Sequence, residues 1–187
     1  LLFAGVALSG AVAVAQAGPE WVRTTLLGPG VRDGHAMAYD AARATIVLFG
    51  DIDNATWTWN GAQWLRHPVP GPSLRYGAAM AYDRARQQTI LFSGDGQRND
   101  TWAWDGAQWT QLQPAQSPVA RTNHTMVYDE ARQRIVLFGG DRGNGQPPVL
   151  ADTWEWDGNN WIPRFSATVP PGRTRHAMAY DAARRGA

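Results

Sequence analysis

The phrase RDGHAMAYDAAR, residues 32 to 43, alternates with a period of two: His35, Met37 and Tyr39 fall on one side, Ala36 and Ala38 on the other. That is the period of a β-strand, whose successive side chains point to opposite faces. The run TIVLFG that follows is short, continuous and rich in β-branched residues, as in strands buried on both faces. Then Trp57 and Trp59 flank Thr58, and a further tryptophan stands at 64. Turn signals, YDxAR and W(D/N)G, separate these runs. The pattern predicts four short antiparallel strands, a to d, and no helix beyond the first seventeen residues.

The same phrases recur along the chain, which makes repetition the main organising feature. RDGHAMAYDAAR returns as RYGAAMAYDRAR (75–86), RTNHTMVYDEAR (121–132) and RTRHAMAYDAAR (173–184). TIVLFG returns as TILFSG and RIVLFGG, and TWTWNGAQW (56–64) as TWAWDGAQW (101–109) and TWEWDGNNW (153–161). Repeats are expected over about 21–64, 65–109 and 110–161, with a partial one over 162–187. Trp21 takes the place of Trp64, eleven residues before the next opening Arg. Lengths change mainly between strands b and c: Phe49 to Trp57, Phe92 to Trp102 and Phe138 to Trp154 span 8, 10 and 16 residues. Antiparallel strands turn at alternate ends, so the variable b–c and d–a loops share one rim, where binding is expected.

Composition narrows the function classes. The 187 residues carry 44% hydrophobic and 18% charged side chains with a net charge of +1, an ordinary globular balance. Arginines and acids are interspersed, which excludes the basic stripe a nucleic-acid partner needs. There is no cysteine, so packing rather than disulfides must hold the fold. Residues 1–17, LLFAGVALSGAVAVAQA, are uncharged, end in Ala-Gln-Ala and precede Gly18-Pro19. This reads as a partial signal peptide that directs residues 18–187 to the periplasm or the exterior, with no membrane span in the mature chain.

These residues resemble the Kelch-repeat β-propellers, of the Trp-rich kind seen in secreted bacterial proteins and related to the central domain of galactose oxidase. The carriers are the opening arginines Arg32, Arg75, Arg121 and Arg173 and the glycines closing strand b, Gly139 and Gly140, reduced to Gly50 and Gly94 earlier. The aromatic pairs Trp57 and Trp59, Trp102 and Trp104, and Trp154 and Trp156, each followed by Trp64, Trp109 or Trp161, complete the signature. Gly-His and Trp-Asp dipeptides also occur, but not together as in WD40 repeats. The resemblance implies an all-β propeller of four-stranded antiparallel blades. The sequence supplies about three blades and the first strand of a fourth, an incomplete ring whose remaining blades are expected from a missing part of the chain. Galactose oxidase chemistry needs a cysteine bonded to a tyrosine, which this chain cannot supply.

Every blade must bury a face against the next, so the repeated tryptophans are expected to pack between blades rather than to form a sugar platform. His35, His124 and His176 share one position in strand a, which Ala78 interrupts, so they are expected to tie down loops rather than bind a metal. The candidate binding residues lie in the b–c loops. They are Asp51, Asp53 and Asn54 in the first, Asp95, Arg98 and Asn99 in the second, and Asp141, Arg142, Asn144 and Gln146 in the third. Their acids read as turn formers, since a complete calcium loop ending in Glu is absent. No nucleophile with its base and no pair of acids stands outside the repeat, so no catalytic residue, metal or cofactor is assigned. The expected role is a non-catalytic scaffold that binds an extracellular protein or surface polysaccharide. The alternative is the scaffold of a carbohydrate-active enzyme whose active residues lie in other blades.

Overall fold

The structure is a computed structural model that describes residues 28–95, 97–143 and 149–184. The expected signal peptide and Trp21 lie outside them. Twelve strands form three four-stranded antiparallel sheets, each in simple sequence order. The first blade comprises β1 (Ala36–Asp40), β2 (Thr45–Phe49), β3 (Thr56–Trp59) and β4 (Trp64–His67). The second comprises β5 (Ala79–Asp83), β6 (Gln88–Phe92), β7 (Thr101–Trp104) and β8 (Trp109–Leu112). The third comprises β9 (Thr125–Asp129), β10 (Arg134–Phe138), β11 (Thr153–Trp156) and β12 (Trp161–Arg164). The described residues contain no helix, and the blades form an open arc of a β-propeller.

Register is the same in every blade. Leu48 pairs with Met37 and Trp57, Leu91 with Met80 and Trp102, and Leu137 with Met126 and Trp154. This Met-Leu-Trp row faces the preceding blade. The alternate row, carrying Val47 and Phe49 or Ile90 and Phe92, faces the following one. Two cores result: Ala36, Val47 and Phe49 pack on Met80, Leu91, Trp104 and Trp109, and Ala81, Ile90, Phe92 and Ala103 pack on Ile135, Leu137, Trp156 and Trp161. Both faces of strand b are therefore covered, which is why it reads as unbroken apolar sequence.

The tryptophans are inter-blade packing groups, as the repetition implied. Trp104, Trp156 and Trp161 are fully buried. Trp109 Nε1 donates across the junction to Thr56 Oγ1 at 2.6 Å, and Trp161 Nε1 to Thr101 Oγ1 at 3.0 Å. The indole thus buries its ring and still satisfies its N–H. No described blade precedes the first, and there Trp59 and Trp64 are half-buried and Tyr39 is 58% exposed against 8% for Tyr82.

The turn phrases explain themselves at the rim formed by the a–b and c–d turns. In YDxAR the Asp caps the turn: Asp40 Oδ1 accepts from the amides of Ala42 and Arg43, and its Oδ2 takes Arg43 Nη1 at 2.7 Å. The Tyr serves the neighbour. Tyr82 Oη accepts the Ala42 amide, Tyr128 Oη that of Ala85 and Tyr180 Oη that of Ala131, so each blade closes the turn of the one before it. In W(D/N)G, the side chains of Asn60, Asp105 and Asp157 each accept two turn amides.

Residues 173–181 take the place of a fourth strand a without a described ladder. His176 Nε2 lies 2.8 Å from Thr125 Oγ1, the Arg175 amide donates to Asn123 O, and Tyr180 reaches Ala131. Inter-blade bonds position this segment even though residues 176–180 form no strand.

Candidate functional site

The opposite rim, built from the b–c and d–a loops, is stitched together by the backbone. Gly77 N donates to Gly34 O, Asn123 N to Gly77 O and Arg175 N to Asn123 O, at 2.8, 2.8 and 2.9 Å. These four residues hold one repeat position, so the bonds pass from blade to blade along the inner edge. Beside them Asp51 N reaches Arg75 O, Gly94 N reaches Arg121 O and Gly140 N reaches Arg173 O. Each b–c loop is thereby tied to the d–a loop of the next blade.

Those bonds reveal an alignment that the letters conceal. Asp51, Gly94 and Gly140 are equivalent, with φ of 81°, 107° and 94°, and so are Gly50, Ser93 and Gly139, with φ of 98°, 56° and 68°. Every blade keeps two consecutive left-handed residues, although only the third spells them Gly-Gly. At Gly140 a Cβ would stand 2.7 Å from Thr122 O, so that close approach needs a glycine. Where a side chain is present it bonds locally. Asp51 Oδ2 accepts from Asp33 N at 2.8 Å, and Ser93 Oγ accepts from Arg121 N and donates to Arg121 O.

Behind the rim stands an Arg-Asp-Trp unit. Arg75 donates to Ser93 O and binds both carboxylate oxygens of Asp100 at 2.7 and 3.0 Å, while Trp102 Nε1 donates to Asp100 at 2.7 Å. Arg121 repeats this with Gly139 O and Asp152 at 2.9 and 2.7 Å, and Trp154 Nε1 reaches Asp152 at 2.7 Å. Burial raises the pKa of both carboxyls, but the Arg and Trp bonds outweigh it and hold them below the ordinary value. The opening arginines are thus loop anchors, and Asp100 and Asp152 are partners that the candidate residues omitted. The signal was the Asp-Thr-Trp of the second and third repeats. In the first repeat the equivalent residue is Ala55, and Arg32 instead meets Asp53 at 3.5 Å. Arg173 is exposed and bonds Pro171 O.

Of the other candidate residues, Asp95, Arg98 and Asp141 are committed to loop structure. Asp95 pairs with Arg98 and accepts the Gln97 amide. Asp141 accepts from Gly143 N, Asn123 Nδ2 and Thr174 Oγ1, and these bonds, set against the opposing effect of burial, lower its pKa. Asn54, Asn99 and Arg142 are exposed, whereas Asn144 and Gln146 lie outside the described residues. Among the described residues no cluster of three His, Asp or Glu side chains could hold a metal.

The histidines share their position but not their bonding. His176 bonds Thr125, the first residue of β9. In the second blade that residue is Ala79, and neither His124 nitrogen finds a partner; its ring packs edge-on to Phe92 at 5.7 Å. Burial first, then the charges of Arg121 and His176, lowers the His124 pKa to about 3. The unfolded chain therefore takes up this proton near pH 6.5 while the folded chain refuses it. Below pH 6.5 stability should fall by about 1.4 kcal/mol per pH unit from this group, continuing towards pH 3. Urea denaturation of wild type and His124→Leu at pH 7.5, 6 and 5 checks this, since the variant should lose that slope; parallel curves would refute it.

No family model matches the chain, and no curated protein sequence matches it. Among solved structures, YjhT aligns with 81% of this chain at a TM-score of 0.63 and 14% identity, over 56% of its own length. A fungal alcohol oxidase of the AA5 family, in complex with copper, aligns with 75% of this chain at 0.51 and 14% identity, over 31% of its own length. The chain spans about half of the first and a third of the second. Both are similar to it in their β-propeller fold.

Proposed function

We propose that the chain is part of an exported Kelch-like propeller that acts as a non-catalytic binding scaffold, with the b–c and d–a loops as its contact surface. The observation that carries this reading is the division of labour between the rims. One rim repeats the same capped turns in every blade. The other varies in length and composition while its loops are anchored by buried arginines and blade-to-blade backbone bonds. Variable loops on a rigid frame suit recognition, and the 139–152 connection is the longest of them. An extracellular protein or a surface polysaccharide is the proposed class of partner.

The likeness to a copper-containing alcohol oxidase supports a second reading, in which this arc is scaffold for a carbohydrate-active enzyme whose reacting groups lie in other blades. The test is a loop graft. Replacing 141–151 with the first repeat's Ile-Asp-Asn, which keeps Gly139, Gly140 and Asp152 in place, should leave the fold intact and abolish binding to the ligand found by screening glycans and surface proteins. Undiminished binding by the graft would remove the loop from the mechanism.

A further inference from the structure

In the second and third blades a carboxylate of the chain's own occupies a seat made by the opening Arg and the first Trp of strand c. The first blade has the seat without the carboxylate. Arg32 keeps the anchor bond, Nη1 to Gly50 O at 2.8 Å, and its side chain is only 3% exposed, as Arg75 and Arg121 are buried at 1% and 0%. Ala55 stands where Asp100 and Asp152 stand, and it has no oxygen to offer. One buried donor that the Asp satisfies in the other blades is consequently unpartnered among the described residues, Trp57 Nε1, while Arg32 Nη2 bonds Pro29 O and keeps its second N–H to offer. The other two indoles in this position each donate to their Asp at 2.7 Å. An unmade indole hydrogen bond is costly, and the first blade therefore holds an indole N–H and guanidinium Nη groups at the repeat positions that bind Asp100 and Asp152 elsewhere.

Asp53 does not replace the missing acid. It approaches from two residues earlier in the loop, makes one contact to Arg32 at 3.5 Å, and is 31% exposed. The bidentate pairs of the other blades lie at 2.7 to 3.0 Å. Asp53, held by this single long contact and partly exposed at the rim, is the group an incoming carboxylate must displace.

We propose that the first blade receives an acidic side chain in trans: an aspartate of a protein partner displaces Asp53 and binds Arg32 and the Trp57 indole N–H as Asp100 and Asp152 do within the chain. The site prefers a peptide carboxylate because the two filled copies are filled by aspartate side chains. This inference rests on the reading of the chain as a binding scaffold and narrows its partner to a protein presenting an acid at the first blade.

The experiment titrates the full chain with a capped Gly-Asp-Gly peptide, its Asn counterpart and sodium glucuronate. Binding is read by calorimetry and by the Trp57 indole N–H resonance. The Asp peptide should shift that resonance and the Asn peptide should not. Ala55→Asp, which fills the seat from within, should weaken peptide binding at least tenfold and raise the thermal unfolding midpoint. Asp53→Asn, which removes the competing charge, should tighten binding several-fold. Equal binding by Ala55→Asp, an equal response to the Asn peptide, or no shift with any probe would overturn the proposal. A response to glucuronate alone would also overturn it, in favour of an acidic polysaccharide. The 141–151 graft should still bind the Asp peptide, so failure of that loop as a contact surface and failure of this seat are separable.

Discussion

Trp161→Ala is expected to destabilise the fold by about 3–5 kcal/mol, the range for emptying a large aromatic site in a core. The indole is wholly buried, packs against Phe92 at 5.1 Å and Trp156 at 5.4 Å, and bonds Thr101 in the second blade. Its loss leaves a cavity at the junction and an unpaired hydroxyl beside it. Trp64→Ala is the internal control, because the equivalent indole is half-buried and has no described blade to pack on. It should cost clearly less. Urea titration of both variants provides the comparison, and equal losses would show that the junction contributes little to the stability of the arc.

Arg121→Met should have the next largest effect, about 3 kcal/mol, in the lower part of the range for breaking a buried ion pair. The guanidinium is fully buried and donates to Val119 O, Gly139 O and both oxygens of Asp152. Asp152 is 40% exposed and keeps its bond from Trp154, which moderates the loss. Arg32→Met should cost less, since it breaks no bidentate pair. The ratio between the two variants measures the paired carboxylate separately from the carbonyl anchor common to both. If Arg32→Met proves the more damaging, the anchoring role assigned to the carboxylate is wrong.

The blades could be read from the sequence because their signals are local. Met37, Leu48 and Trp57 reveal their common face through period two, and Asp157-Gly158 announces a turn within two letters. The inter-blade packing of the tryptophans followed from their repetition alone. What stayed hidden was non-local or conformational. Arg75 meets Asp100 after 25 residues and Arg121 meets Asp152 after 31, so loop length obscured a constant pairing. Gly-Asp occurs in all three b–c loops, at Asp51, Asp95 and Asp141, yet the backbone matches Asp51 with Gly94 and Gly140. A residue's name does not declare a positive φ when an aspartate or a serine adopts it with compensating bonds. The rim therefore required coordinates, and so did the missing oxygen at Ala55.

The bonds between blades always join fixed repeat positions: amide to carbonyl at the inner edge, phenol to turn amide at one rim, indole to threonine within the junction. A duplicated or deleted whole repeat meets its new neighbours with every one of these partners already in place. A single residue gained inside a strand would instead shift all three sets at once and turn the Met-Leu-Trp row to the wrong face. The architecture is thus permissive to genetic change in steps of one blade and intolerant of it in steps of one residue, except in the b–c loops, where the length differences lie.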